Sequence, residues 1–203
     1  MGELPPPSCE LDQWALAEVE KRQRSGEVVH ALLIGVGAEA QARRMAALGA
    51  RVVLLSDLDE ETQVNVLRRP AALFDALAES DEALPLQPFD IVLCQRALSA
   101  LPYAEARRRV RRLLGRLKIG GKLFVSLYGI HSDLGDHYTD GGKLVCDRFA
   151  VVAPDLARRY GIDSPVCLYS ERNLFMLLME CGGAILKTSS SALGHVRGIA
   201  ARI

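Results

Sequence analysis

VVHALLIGVGAEAQARRMAALGARVVLLSD, residues 28–57, is the stretch that decides how this chain is read. An apolar run from Val28 to Ile34 meets Gly35-Val36-Gly37. A helix-like segment from Ala38 to Leu48 stops at Gly49, and a second apolar run from Arg51 to Leu55 ends in Ser56-Asp57. Strand, glycine turn, helix and strand in that order make the first half of a nucleotide-binding α/β sheet. The glycines let the backbone turn tightly and approach a ligand closely at a helix N-terminus. Asp57 stands 20 residues beyond Gly37, the spacing at which an acid can accept hydrogen bonds from a ribose diol.

Composition bounds the rest. A length of 203 residues suits one domain, and a 49% hydrophobic share with 25% charged residues supports a sizeable core rather than disorder. Lys+Arg and Asp+Glu both number 25, so no global charge draws the chain to nucleic acid or to an anionic membrane. The cysteines (Cys9, Cys94, Cys146, Cys167, Cys181) are scattered, with no C-x-x-C pair. This points to reduced thiols in a cytoplasmic protein rather than to disulfides or zinc. No apolar run approaches the ~18 residues of a membrane span. MGELPPPSCE lacks the basic start and apolar core of a secretory signal.

Taken in order, residues 1–27 read as an N-terminal helical extension. Pro5-Pro6-Pro7 is stiff, and Ser8 or Asp12 can cap a helix running to about Arg24. Leu11, Ala15 and Val19 share one face of that helix, flanked by Trp14 and Leu16. Beyond Asp57, Val64 to Leu67 predicts a third strand and Pro70 opens a helix from Ala71 to about Ala83; the alternative is a helix over 60–68 and a strand over 71–74. Pro88 to Cys94 predicts a buried strand, Gln95 to Pro102 a loop, and Tyr103 to Leu117 a helix with Ala106, Val110, Leu113, Leu114 and Leu117 inward. Lys118 to Gly121 predicts a turn, and Lys122 to Tyr128 a strand. Ser170 caps a helix from Glu171 to Cys181, Gly182-Gly183 stop it, and Ala184 to Thr188 and His195 to Arg202 read as closing strands.

Two cofactor families share the opening layout. Gly35-x-Gly37-x-x-Ala40 resembles the nicotinamide dinucleotide fingerprint. Read as hydrophobic-Gly35-x-Gly37, it resembles the first motif of S-adenosylmethionine methyltransferases, with Leu33 where that family usually has an acid and Glu39 where it usually has a third glycine. FDIVLCQRALSALP…RLLGRLKIGGKLFVSLY resembles the middle of class I S-adenosylmethionine-dependent methyltransferases, with Ile119 replacing the proline of their L-K-P-G-G turn. The resemblance covers about residues 28–128 well. It implies a single-domain Rossmann-like methyltransferase fold over 28–203, with a mostly parallel seven-stranded sheet whose last strand is antiparallel. It implies S-adenosylmethionine as cofactor. Gly35 and Gly37 would lie beneath the methionine part, Asp57 would hold the ribose, and Cys94 and Gln95 would lie on the cofactor rim, with Gln95 near the sulfonium. The N-terminal helix would pack on the domain or act as a flap over the cleft.

The segment 129–169 is too long for a plain strand-to-helix connection and is the expected substrate region or lid. His131 or His137 could act as a general base for an acceptor, with Tyr138 beside them. His131, Asp133, Asp136 and His137 could instead bind a metal, or the loop could simply be solvated, which is the plainer reading. The run Arg107-Arg108-Arg109, Arg111-Arg112 and Arg116 forms a basic helix face, without the interleaved aromatics of a nucleic-acid surface. The reading is therefore methyl transfer to a small-molecule acceptor, with no metal, nucleic-acid or membrane partner expected and the oligomeric state open. The rivals are an NAD(P)-binding oxidoreductase and a catalytically inactive methyltransferase-like binding or regulatory module.

Overall fold

The computed structural model describes residues 9–56, 65–72, 74 and 88–203. Seven strands share one sheet: β1 (His30–Gly35), β2 (Arg51–Leu55), β3 (Val66–Arg69), β4 (Phe89–Gln95), β5 (Leu117–Leu127), β6 (Ala184–Ser190) and β7 (Val196–Ala201), in the order β3-β2-β1-β4-β5-β7-β6. Strands β1 to β5 are parallel, and β7 runs antiparallel to both β5 and β6. The mostly parallel sheet with an antiparallel last strand is thus as expected. Chain direction across the sheet reverses between β1 and β4, and Gly35 pairs with Gln95 there. Crevices form at the carboxyl ends of such a switch point.

The strands read as apolar runs because both faces of the sheet are covered. On one face α1 (Cys9–Arg24) and α2 (Ala38–Ala47) bury Leu11, Ala15, Val19, Ala42 and Met45 against Leu33, Leu93 and Phe124. On the other, α3 (Tyr103–Gly115) and α5 (Glu171–Glu180) bury Val110, Leu113, Leu174 and Leu178 against Leu32, Val92 and Val125. Each large side chain so buried contributes roughly 1.5–3 kcal/mol. Charge fixes α1 as well: Arg22 pairs with Glu18 at 2.9 Å and Asp90 at 3.3 Å, and Lys122 with Glu18 at 2.5 Å. Among the described residues no helix is long and apolar enough to cross a membrane.

The expected segments mostly hold, with three corrections. Lys118 to Gly121 is not a turn between helix and strand but part of β5, which begins at Leu117, the residue expected to end the helix. Leu117 pairs with Phe89, the register shifts before Ile91 meets Lys122, and the Gly120 N–H donates to the Arg202 carbonyl at 2.8 Å. The two glycines allow an irregular strand, with Gly120 at φ 74°, rather than a reversal of the chain. The third strand begins at Val66, two residues later than expected, after Asn65 at φ 68°. Asp12 is no cap; it lies inside α1 and is buried. The expected helix over 71–83 lies, apart from Ala71, Ala72 and Phe74, outside the described residues, as do Ser8 and Asp57.

Residues 129–169 fold back on themselves. Gly129 bridges Tyr169, Ala150 bridges Val166, and the segment has its own core of Leu134, Tyr138, Val152, Val166 and Leu168 against Tyr128. Its only helix of full α form among the described residues is α4 (Pro154–Tyr160). Phe149 to Val152, just before it, is non-helical. At the segment's end Ser170 caps α5: its hydroxyl accepts from the Asn173 N–H at 3.2 Å, and the Asn173 side chain accepts from the Ser170 N–H at 3.0 Å. Ser170→Ala should lower stability by about 1 kcal/mol. In urea this would appear as a lower midpoint at unchanged slope.

Candidate functional site

The glycine turn is built by backbone contact. Gly35 ends β1 at φ 99°, and a Cβ there would stand 2.0 Å from the Gln95 carbonyl oxygen. Gly37 starts α2 at φ 82°; a Cβ there would meet only the Gln95 side-chain Oε1, at 3.9 Å. The first glycine is therefore required by β4, whereas the second leaves open space at a helix N-terminus. A cleft of about 840 Å³ opens here, lined among others by Gly35, Gly37, Glu39, Ser56, Phe74 and Leu101. A smaller cavity of about 420 Å³ lies at the amino ends of the strands, by His30, Arg51 and Asn65. Ligands of open α/β sheets bind at carboxyl ends, so the larger cleft is the candidate site.

Its polar groups come from three places. Glu39 accepts from the Ser56 hydroxyl at 2.7 Å, tying α2 to the end of β2 with a carboxylate on the cleft wall. Gln95 is 3% exposed, and its Nε2 donates to Asp12 Oδ1 at 2.6 Å. Its Oε1, the atom beside the Gly37 turn, has no donor among the described residues. A buried acceptor left unpaired costs about 1–3 kcal/mol, so one beside a glycine turn that lines the cleft marks a place where a ligand donor fits. Burial pushes the Asp12 carboxyl up to about 6, against the opposing effect of Arg44, Arg96 and the Gln95 amide. Next along the rim, Arg96 stands at φ 61° with its guanidinium 5.7 Å from the Tyr128 ring centre. His195 packs 5.9 Å from both Tyr128 and Tyr160, and the Tyr160 hydroxyl donates to Asp133 at 2.8 Å. Burial first, then Arg96, lower the His195 pKa against Asp133.

The expected site residues divide. Gly35 and Gly37 line the cleft, and Gln95 is buried beside their turn. Cys94 is corrected: it is fully buried in the core with Ile34 and Leu98, and burial pushes its thiol up to about 12. Tyr138 is also corrected. It is buried within its own segment, donating to the Val166 carbonyl at 2.5 Å and accepting from the Ala150 N–H at 3.1 Å, so its hydroxyl is engaged there. His131 and His137 are exposed; the His131 carbonyl lies 2.3 Å from where a Cβ on Gly194 would stand. Asp57 lies outside the described residues. Among those described, no group of three or more His, Cys, Asp or Glu side chains is placed to hold a metal ion. The basic face of α3 is partly neutralised: Glu105 pairs with Arg108 and Arg109, and Glu180 with Arg107. Sequence reasoning places the Cys94–Arg96 and Tyr128 loops on the rim, but misses Asp12, Tyr160 and His195 and treats Glu39 only as a departure. One signal was present for Asp12: it keeps helical spacing with Ala15 and Val19, on the buried face.

No family model matches this chain, and no curated protein sequence is similar to it. Solved structures are. A protein described as a Zn-dependent alcohol dehydrogenase from Rhodobacter sphaeroides has a TM-score of 0.66 at 13% identity, covering 98% of this chain and 92% of its own. An S-adenosylmethionine-dependent methyltransferase from Mesorhizobium loti has 0.61 at 14%, covering 90% and 96%. The 1,6-didemethyltoxoflavin-N1-methyltransferase from Burkholderia thailandensis, solved with 1,6-didemethyltoxoflavin and S-adenosylhomocysteine, has 0.59 at 14%, covering 96% and 81%. The chain has the fold of the class I S-adenosylmethionine-dependent methyltransferases. In the dinucleotide-binding order 3-2-1-4-5-6 the sixth strand adjoins the fifth, whereas β7 here inserts antiparallel between β5 and β6.

Proposed function

We propose that this chain binds S-adenosylmethionine in the 840 Å³ cleft and transfers its methyl group to a small-molecule acceptor. The observation that carries the reading is the unpaired, buried Gln95 Oε1 facing the Gly37 turn, an acceptor suited to the cationic methionine part of that cofactor. Glu39 offers a second carboxylate on the ribose side, beside the one expected from Asp57. When bound, the cofactor supplies a methyl carbon already activated by a sulfonium. The residues of this chain then have to orient and enclose: the turn and Gln95 hold the donor, and α1 covers Gln95 through Asp12. The segment 129–169 carries acceptor specificity from the rim beside Tyr128, with Tyr160 and Asp133 reaching toward His195 and with His131 and His137 on its surface. Positioning and exclusion of water would provide most of the rate.

Thermal melting with S-adenosylhomocysteine, S-adenosylmethionine and NADH tests this. The first two should raise the midpoint, by an amount corresponding to about 2.7 kcal/mol at a hundredfold excess over Kd. A shift with NADH and none with S-adenosylhomocysteine would turn the reading toward an oxidoreductase. A shift with no methyl transfer to any acceptor would favour a binding module.

A further inference from the structure

We infer that Arg96, Tyr128 and His195 form an anion subsite that receives a carboxylate of the acceptor; its role as an acceptor site rests on the methyl-transfer reading above. The argument is an inventory of donors and charges. Arg96 follows Gln95 directly, so it stands where the cofactor side of the rim meets the acceptor side. It is held at φ 61°, a conformation that costs a non-glycine residue about 1–3 kcal/mol and persists only where the surroundings demand it. Its N–H donates to the Ser126 carbonyl at 2.8 Å, which fixes the backbone in that state. The side chain is half-buried, and among the described residues no ion pair joins it to a carboxylate. Of the nearby acids, Asp12 feels the Arg96 charge without forming an ion pair with it and accepts from Gln95, and Asp133 is taken by the Tyr160 hydroxyl at 2.8 Å and Arg159 at 3.2 Å.

The two neighbours of Arg96 also present hydrogens rather than lone pairs. Burial raises the Tyr128 phenol pKa and so keeps its hydrogen, and the Arg96 guanidinium lies 5.7 Å from the ring centre. The Gly129 N–H donates to His195 Nδ1 at 3.4 Å, so Nδ1 is the bare nitrogen and Nε2 carries the hydrogen. Burial and Arg96 favour the neutral imidazole, whose Nε2–H is then the group it can offer to an anion. A guanidinium, a phenol O–H and an imidazole N–H gathered around one tyrosine ring suit an anionic oxygen. The surrounding rings of Tyr128, Tyr160 and His195 suit a flat, partly apolar body attached to it. An aromatic or otherwise planar carboxylic acid is the class of acceptor that meets both demands.

The test titrates benzoate and its neutral isostere benzamide into the protein with and without S-adenosylhomocysteine, following the Arg96 Nε–H resonance and ligand saturation transfer by NMR. Benzoate should bind about tenfold or more tighter than benzamide, since a charge-assisted hydrogen bond contributes about 1.5–3 kcal/mol and about 1.4 kcal/mol is tenfold. Arg96→Gln should remove that preference while Arg96→Lys keeps most of it, with melting curves run on both to show that they fold. Equal binding of benzoate and benzamide, or an unchanged preference in Arg96→Gln, overturns the subsite. Benzoate preference that depends on Arg96 in a protein that does not bind S-adenosylhomocysteine leaves the anion site standing and overturns its role as an acceptor site. Failure of the methyl-transfer reading is thereby separated from failure of this one.

Discussion

Gly35→Ala is expected to cost more than ~4 kcal/mol and to leave little folded protein, whereas Gly37→Ala, two residues on, is expected to fold. The difference lies in what each new methyl meets. At Gly35 it would stand 2.0 Å from the Gln95 carbonyl oxygen and 3.0 Å from its carbon, with the backbone at φ 99°. That carbonyl is main chain in a central strand paired with Gly35 itself, so moving it breaks the β1–β4 ladder next to the cleft. At Gly37 the nearest atom is the end of a side chain at 3.9 Å, and the cost is the left-handed backbone alone, about 1–2 kcal/mol. Urea unfolding followed by circular dichroism measures both. Gly35→Ala melting at the same midpoint as Gly37→Ala would show that β1 and β4 are not in the register described. Gly37→Ala should instead weaken S-adenosylhomocysteine binding, because its methyl faces Gln95 Oε1.

The contrast explains what could be read in advance. The strand, turn and helix of residues 28–57 follow from composition acting over a few residues: apolar runs, a glycine pair, a helical stripe. The sheet's extent was legible for the same reason, because β1, β2 and β4 are apolar on both faces. Lys118 to Gly121 misled because paired glycines suit a reversal and an irregular strand equally well. What decides for the strand is hydrogen bonding to Arg202, 82 residues beyond Gly120. The site divides along the same line. Gly35, Gly37 and Gln95 belong to a local pattern and meet at the glycine turn that lines the cleft. Asp12 and Gln95 meet across 83 residues, and His195 reaches Tyr128 from the far end of the chain. No spacing encodes such meetings. His131, His137 and Tyr138 stand out for their polar density, but density along the chain does not say which side chains turn inward. The segment uses the Tyr138 hydroxyl to hold itself together and sends Tyr160 and Asp133 to the rim.

Asp12→Asn should stabilise the protein above about pH 7 by up to ~3 kcal/mol and weaken S-adenosylhomocysteine binding at the same time. The carboxyl is 3% exposed, and its pKa rises from 3.8 to about 6, chiefly by burial. A folded-state pKa above the unfolded one means that the fold favours the protonated form. The stability this provides is complete below about pH 4 and lost as pH rises through about 6. A shift of about two units corresponds to ~3 kcal/mol. Asparagine keeps the shape and an acceptor for Gln95 Nε2 but carries no charge, so the gap in unfolding free energy between variant and wild type should open between about pH 4 and pH 7. A gap that does not change with pH would mean that Asp12 is already well solvated or well paired. The binding loss follows from the same contact. An ionised carboxylate accepts only, so it admits the NH₂ end of Gln95 and turns Oε1 toward the Gly37 turn. Asparagine offers both a donor and an acceptor and lets that amide flip. A more stable protein with poorer cofactor binding would show that Asp12 is kept to orient Gln95 at the expense of stability. Equal or tighter binding would make the carboxylate merely a buried charge.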